Sequence, residues 1–225
     1  MKIKVLGTRG EIKVSAPRHF YHSGILVDDK ILFDIGEEKF LDYKPKWIFI
    51  THFHPDHAFF VTAPDKKAEI KVPIYSPENL KPEEAVRIDG YRIIPLPTIH
   101  SKKVKSMAYL IEKSKKRVLY TGDMVWIRKK YHHLFKNLDL VITEASFFRK
   151  GGRVGRDKQT GEVYGHTGIP DLINLFKKFT SCILFVHFGS WFYKDIKQSR
   201  KKIIELAKEN GVKAIVGYDG LEVKI

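Results

Sequence analysis

One cysteine in 225 residues, Cys182, leaves no partner for an internal disulfide and no thiolate cluster for a metal, so any bound ion must rest on His, Asp or Glu. Glutamine is nearly as scarce, at Gln159 and Gln198 only. No segment approaches the roughly 18 consecutive apolar residues of a membrane span. The opening MKIKVLGTRG lacks the apolar stretch of a signal peptide, which predicts a cytoplasmic chain with no membrane partner. Acidic residues are in deficit as well: 41 Lys+Arg stand against 26 Asp+Glu, a net charge of +15. That excess fits a surface that attracts polyanions. It fits equally the Lys- and Glu-rich, Gln-poor composition of a thermophile. With 43% hydrophobic residues there is enough apolar material for a core, which excludes a disordered tail or a stapled miniature. Nothing in the pattern marks a domain boundary or specifies an oligomer, so one domain over 1–225 is the expectation.

The first half of the chain reads as short strands joined by turns. Lys2–Leu6, Gly24–Val27, Lys30–Phe33 and Trp47–Ile50 are rich in β-branched and aromatic residues, with Asp28-Asp29 as a hairpin turn. Pro73–Tyr75, Tyr91–Ile94, Ser106–Glu112 and Arg117–Tyr120 continue the series. The second half alternates strands (Leu138–Ile142, Ile183–Val186, Lys213–Val216) with helices predicted over Pro170–Phe179 and Asp195–Glu209. In the latter, Ile196, Ile203, Ile204 and Ala207 are placed on the buried side, and Asn210-Gly211 closes the helix. An α/β class with sheets inside and helices outside follows.

The chemistry concentrates in Thr51-His52-Phe53-His54-Pro55-Asp56-His57, directly after the hydrophobic strand Trp47–Ile50. Such a strand delivers its polar successors to a turn, where His52 and His54 can face one ion and Asp56 and His57 another. Pro55 suits the first position of a following helix, which needs no backbone donor. Neutral imidazole and carboxylate suit zinc best, and manganese or iron next. Three further candidates stand where apolar runs end: His100 after Ile93–Ile99, Asp123 after Val118–Gly122, and His187 after Cys182–Val186.

With these residues placed, the chain resembles the metallo-β-lactamase superfamily, and within it the ribonuclease Z-like phosphodiesterase branch. The similarity is carried by HxHxDH, the lone His100, Gly122-Asp123 and His187. It extends to the Leu6-Gly7-Thr8 start, Thr143-Glu144-Ala145-Ser146-Phe147, Gly165-His166-Thr167 and Val186-His187-Phe188-Gly189-Ser190. The resemblance implies an αββα sandwich. It implies two zinc ions, one held by His52, His54 and His100, the other by Asp56, His57 and His187, with Asp123 bridging. A metal-bridging hydroxide would attack phosphorus, and His166, oriented by Glu144, would protonate the leaving oxygen. Asp56, His166 and Glu144 are then the catalytic set, and Asp34 a buried carboxylate behind the ligands.

Departures shift the expected substrate. Only 43 residues separate His57 from His100 and 23 separate His100 from Asp123, which leaves no room for the tRNA-gripping arm of ribonuclease Z. Met124 stands where the branch usually has Thr, and Gly189-Ser190-Trp191-Phe192-Tyr193 matches its usual ending only approximately. A compact phosphodiesterase or nuclease acting on RNA, DNA or a small cyclic phosphate is the expectation. The alternatives are a thioester or lactone hydrolase with the same centre, and a non-catalytic nucleic-acid-binding protein of the same fold.

Between Glu144 and His166 the basic, glycine-rich stretch Arg149–Lys158 is tethered on both sides by the expected acid pair. It is expected either to cover the site, with Arg149, Arg153 and Arg156 on substrate phosphates, or to be a solvated loop. His22, near Arg18, His19 and Tyr21, is a further substrate-binding candidate. Trp191, Phe192 and Tyr193 serve either a stacked base or the core.

Overall fold

A computed structural model describes residues 1–225. Five strands open the first sheet: β1 (Lys2–Gly7), β2 (Gly24–Val27), β3 (Ile31–Phe33), β4 (Trp47–Phe49) and β5 (Ile74–Tyr75). β1, β2 and β3 are antiparallel neighbours, while β4 and β5 join parallel. The β2–β3 turn runs through Asp28 and Asp29, both at positive φ, a conformation that a short carboxylate side chain tolerates by bonding locally. The Asp28 carboxylate accepts from the Lys2 amide at 2.6 Å and so ties the turn to the start of β1.

The second sheet contains β6 (Val86–Ile88), β7 (Tyr91–Ile99), β8 (Met107–Lys113), β9 (Lys116–Tyr120), β10 (Trp126–Ile127), β11 (Leu140–Ala145), β14 (Cys182–Phe188) and β15 (Lys213–Val216). Its path is β10-β7-β8-β9-β11-β14-β15, antiparallel through β9 and parallel from there on. β7 continues well past its predicted end at Ile94, through Pro95 and Pro97. Proline is tolerated because β6 and β10 cover only the two ends of that edge, so the missing donors face no partner strand. Between β11 and β14 the chain forms a separate hairpin of β12 (Arg153–Arg156) and β13 (Val163–His166). The last strand, β16 (Glu222–Lys224), returns to the first sheet beside β1.

Period-two alternation sorts the side chains into layers. Ile31 and Phe33 face inward, with Val5, Ile25 and Phe49, onto Tyr109, Ile111, Tyr120 and Ile142 of the second sheet. Leu32, between them, faces outward onto Phe40 and Ile48. The opposite side of the second sheet packs on α2 (Ile169–Phe176) and α4 (Ile196–Glu209). The architecture is the expected αββα sandwich. Its layer over the first sheet is thin, made of the 3₁₀ turns Glu38–Tyr43 and Phe59–Val61 and the four-residue α1 (Pro64–Lys67).

Three expectations need correction. Pro55 opens no regular helix: the His57 and Ala58 amides both donate to the His54 carbonyl, and the chain makes a single turn before Phe59–Val61. In α4, capped by Asp195 through its bond from the Gln198 amide, Ile203 and Ala207 are buried but Ile204 is 46% exposed. The buried positions Ser199, Ile203 and Ala207 follow the helical period, and Ile204 falls one step off it. The basic stretch Arg149–Lys158 is no irregular loop, since its centre forms β12. Phe192 belongs to the core on α3 (Ser190–Tyr193), and the Trp191 indole donates to the Ala145 carbonyl at 3.0 Å.

Candidate metal centre

Residues from the C-terminal ends of strands in both sheets meet at one edge of the sandwich. β4 leads to His52 and the turn carrying His54, Asp56 and His57. β7 leads to His100, β9 to Asp123, β11 contains Glu144, and β14 contains His187. Three backbone positions aim these side chains. Asp34 and Gly122 have φ of 58° and 56°, and His187, at φ 53°, sits where the β11–β14 register slips. Such a bulge turns one side chain out of the alternation, and residues held at positive φ cluster where geometry serves a site.

Six of the seven predicted ligands are buried, and His54 is half-buried. His52 Nε2 stands 3.0 Å from His54 Nδ1, which is 3.3 Å from His100 Nε2. Tetrahedral zinc with Zn–N of about 2.0–2.1 Å sets its nitrogens roughly 3.3 Å apart, so this spacing fits a shared cation. His187 Nε2 lies 2.9 Å from Asp56 Oδ2, and His57 Nε2 lies 3.7 Å from the same oxygen. Asp123 sits between the groups: one oxygen is 3.8 Å from His52 and from His100, the other 3.4 Å from His57. Its Oδ1 is buried without any hydrogen-bond partner. An orphaned carboxylate oxygen among converging imidazoles has a strong desolvation cost unless a cation meets it, and the donor set fits divalent metal.

The atoms pointing away are satisfied. His57 Nδ1 donates to Asp34 at 2.7 Å, His100 Nδ1 to the Gly165 carbonyl at 3.0 Å, and His187 Nδ1, itself 3.3 Å from Asp123 Oδ1, to Ser146 Oγ at 3.0 Å. Each bond leaves Nε2 as the free ligand nitrogen. Asp34, fully buried, also accepts from the Thr51 amide at 2.7 Å, the Thr51 hydroxyl and the Tyr120 hydroxyl at 2.7 Å. Burial holds His52, His54 and His100 below the usual histidine range, the neutral form a metal needs. For His57 burial acts the same way, but Asp123, Asp34 and Asp56 together outweigh it and hold the ring well above its usual value.

His166 Nδ1 lies 2.8 Å from Glu144 Oε2, and the other Glu144 oxygen accepts from the Met124 amide at 2.7 Å. Met124, which departs from the resembled pattern, therefore contributes through its backbone. Burial disfavours the charged ring, yet Glu144 and Asp123 raise His166 to about 9.

A cleft of about 290 Å³ opens over the cluster, lined by His54, Asp56, Asp123, His166 and His187 together with Arg153. Of the four substrate-binding candidates, only Arg153 reaches it. Arg149 instead ties its own turn by donating to the Gly152 carbonyl, Arg156 donates to the Gly161 carbonyl at the hairpin's far end, and His22 pairs with Glu37 at 2.8 Å. Lining residues that sequence reasoning missed are Gly10-Glu11-Ile12, Ser146 and Phe147. The Gly10 amide donates to the Phe188 carbonyl at 3.1 Å, so the loop after β1 is brought in by a contact between distant segments, for which no local signal exists.

The family described as the beta-lactamase superfamily domain matches residues 59–188, more than half of the chain, beginning just after the His-rich turn. No curated protein matches by sequence. Among solved structures, the metallo-beta-lactamase fold protein YhfI from Bacillus subtilis is similar at a TM-score of 0.73 and 18% identity, over 99% of this chain and 98% of that one. Human tRNase Z, short form, aligns at 0.67 and 16% identity, covering 100% and 99%. A diphosphatase from the PhnP family aligns at 0.66 and 15%, covering 100% and 97%. At these identities the likeness establishes the fold.

Proposed function

Because the chain belongs to the metallo-β-lactamase superfamily, we propose that it is a dinuclear-metal hydrolase that cleaves phosphodiesters, with residues 1–225 acting as one catalytic unit. The observation that carries this reading is the juxtaposition of three functions in one cleft: the His/Asp cluster, the His166–Glu144 pair and the Arg153 guanidinium. His52, His54 and His100 would hold one ion, Asp56, His57 and His187 the second, with Asp123 between them, and zinc suits this set best. Such ions supply Lewis acidity toward phosphoryl oxygens and lower the pKa of water toward neutrality.

The remaining work falls to the chain. Glu144 fixes the ring of His166 through Nδ1, which presents Nε2–H to the leaving oxygen as general acid. Arg153, opposite His166 on the hairpin, offers a planar fork that suits the non-bridging phosphate oxygens. Ser146 orients the His187 ring through Nδ1, which leaves Nε2 beside Asp56 for the second ion. A protonated imidazole and an arginine at the rim favour an anionic ester over a thioester or lactone, whose leaving groups need less of either. The names diphosphatase and tRNase Z, borne by two of the structural neighbours, support the same choice.

A panel of bis(p-nitrophenyl) phosphate, an acyl thioester and a lactone, assayed with metal content measured on the same sample, tests the proposal. Phosphodiester turnover with about two metal equivalents is the expected result. Turnover of the thioester or lactone alone overturns it, and two bound equivalents with no turnover of any ester favour a silent binding protein.

A further inference from the structure

The hairpin that carries His166 also carries a row of side chains that the chemistry above leaves unused. Arg153 pairs with His166 and Gly155 with Tyr164 across β12 and β13, so all four lie on one face. Tyr164 is two residues from His166, about 7 Å along the strand, roughly the span of one sugar between a phosphate and its base. A second hollow of about 430 Å³ is lined by this row and shares Arg153 and His166 with the metal cleft.

Tyr164 is 36% exposed, large for an aromatic ring on a structured element. Its posture depends on Gly155: a Cβ there would lie 2.5 Å from Tyr164 Cζ, so only the absent side chain lets the ring lie down across the strand. Lys102, anchored by its 2.5 Å ion pair with Asp157, places its ammonium over the ring, 4.9 Å from the centroid and outside the lining of the hollow, so a stacking base must displace it or enter from the hollow's side. The base of the hairpin is held to the metal centre, since the Gly165 amide donates to the His100 carbonyl at 2.6 Å. A flat aromatic face, a guanidinium and a proton donor thus stand at set distances along one strand pair.

We propose that this face is a leaving-group subsite for a nucleoside, with the base stacked on Tyr164 and its phosphate between Arg153 and His166. The inference rests on the phosphodiesterase reading and narrows it to nucleotide-containing esters. Stacking works for any base because each has a π face, and it separates a nucleotide from a sugar phosphate of the same charge.

Calorimetric titration of the metal-loaded protein with adenosine 5′-monophosphate and with ribose 5-phosphate tests it. The nucleotide should bind about tenfold tighter, the share expected of one base–aromatic stack. Tyr164→Ala should bring the nucleotide down to the level of the sugar phosphate, whereas Tyr164→Phe should keep the preference. Gly155→Ala is a second route to the same loss, because its Cβ pushes the flexible end of the Tyr164 ring off the strand without demanding a forbidden backbone angle. Equal affinity for the two ligands, or a preference that survives both Tyr164→Ala and Gly155→Ala, overturns the subsite. Turnover of bis(p-nitrophenyl) phosphate without nucleotide preference refutes the subsite alone. Nucleotide preference without turnover of any phosphodiester refutes the reaction and leaves a base-binding face.

Discussion

Replacing Asp34 by Asn tests whether the second layer of contacts sets the metal centre. The substitution keeps the side-chain shape, and asparagine tolerates the positive φ of 58° at this position. One carboxylate oxygen accepts from the Thr51 amide at 2.7 Å. The other accepts from His57 Nδ1 at 2.7 Å and from the Tyr120 hydroxyl at 2.7 Å. With the amide oxygen kept on Thr51, the amide nitrogen faces His57, and donor meets donor. The conflict is relieved when His57 moves its proton to Nε2, the nitrogen that points at Asp56 and Asp123. That tautomer cannot ligate. Metal affinity at the site containing His57 should therefore fall about 10- to 100-fold, the range for lost outer contacts. The Tyr120 hydroxyl also loses its carboxylate acceptor, at about 1.5 kcal/mol, so the metal-free protein should lose about that much stability. Chelator competition reads the first quantity and urea unfolding of the metal-free protein reads the second. Unchanged chelator competition in Asp34→Asn would refute the tautomer argument, whatever happens to stability.

Gly122→Ala should destabilise by about 3 kcal/mol, combining a positive φ of 56° with a Cβ placed 2.7 Å from that of Thr51, and should lower metal content by displacing Asp123. Thermal unfolding with metal analysis of the folded protein checks both, and a shift in Tm of less than a degree would count against it. His166→Ala and Glu144→Gln should each slow phosphodiester turnover about 10²- to 10⁴-fold while metal content stays at wild-type level, and loss of metal in His166→Ala would make that residue a ligand instead. Stability should also fall in acid through His19, buried against Phe188 and Phe192, whose Nδ1 donates to Thr8 Oγ1 at 2.9 Å. Burial, with Arg200 and Arg18 adding to it, lowers this ring from 6.5 to about 4. Between those values the unfolded chain takes up a proton that the folded chain refuses. The contribution is thus complete above 6.5 and lost as pH falls toward 4, by about 3 kcal/mol. His19→Gln should flatten the wild-type slope of unfolding free energy over that window, and parallel slopes would refute the assignment.

The part of the centre that was legible in the sequence is the part whose signal is local. A buried strand written in Val, Ile and Leu ends where a polar residue appears, and His52, His100, Asp123 and His187 all stand at such ends. What aims them was not legible. The turned-out ring of His187 depends on a register slip between β11 and β14, and the hydrogen bond that fixes His100 comes from Gly165, 65 residues away. The hairpin itself escaped because Arg153–Arg156 and Val163–His166 have two glycines in eight residues and little apolar alternation, a weak strand pattern. Its turn is built by Asp157, whose Oδ1 accepts from the Gln159 and Thr160 amides at 2.9 Å, a local device that Asp-Lys-Gln-Thr-Gly does encode.

This division bears on the chain's basic charge. Of the three arginines in the glycine-rich stretch, Arg149 and Arg156 are spent on backbone carbonyls of their own hairpin, and Arg153 alone faces the cleft. The remaining positive charge must act from a distance, as a field over the surface rather than as a set of phosphate grips. A ligand held by one guanidinium and one stacked base would bind with a shallow dependence on salt, about one phosphate's worth of released counterion, whereas a polynucleotide tracking the surface would show a slope several times steeper. Affinity for a mononucleotide and for a single-stranded oligonucleotide, each measured across a range of salt concentrations, therefore separates what the cleft recognises from what the net charge of +15 attracts. Equal slopes for the two would mean that the surface field adds nothing to recognition, and the excess lysine and arginine would then belong to the adaptation of the chain to heat.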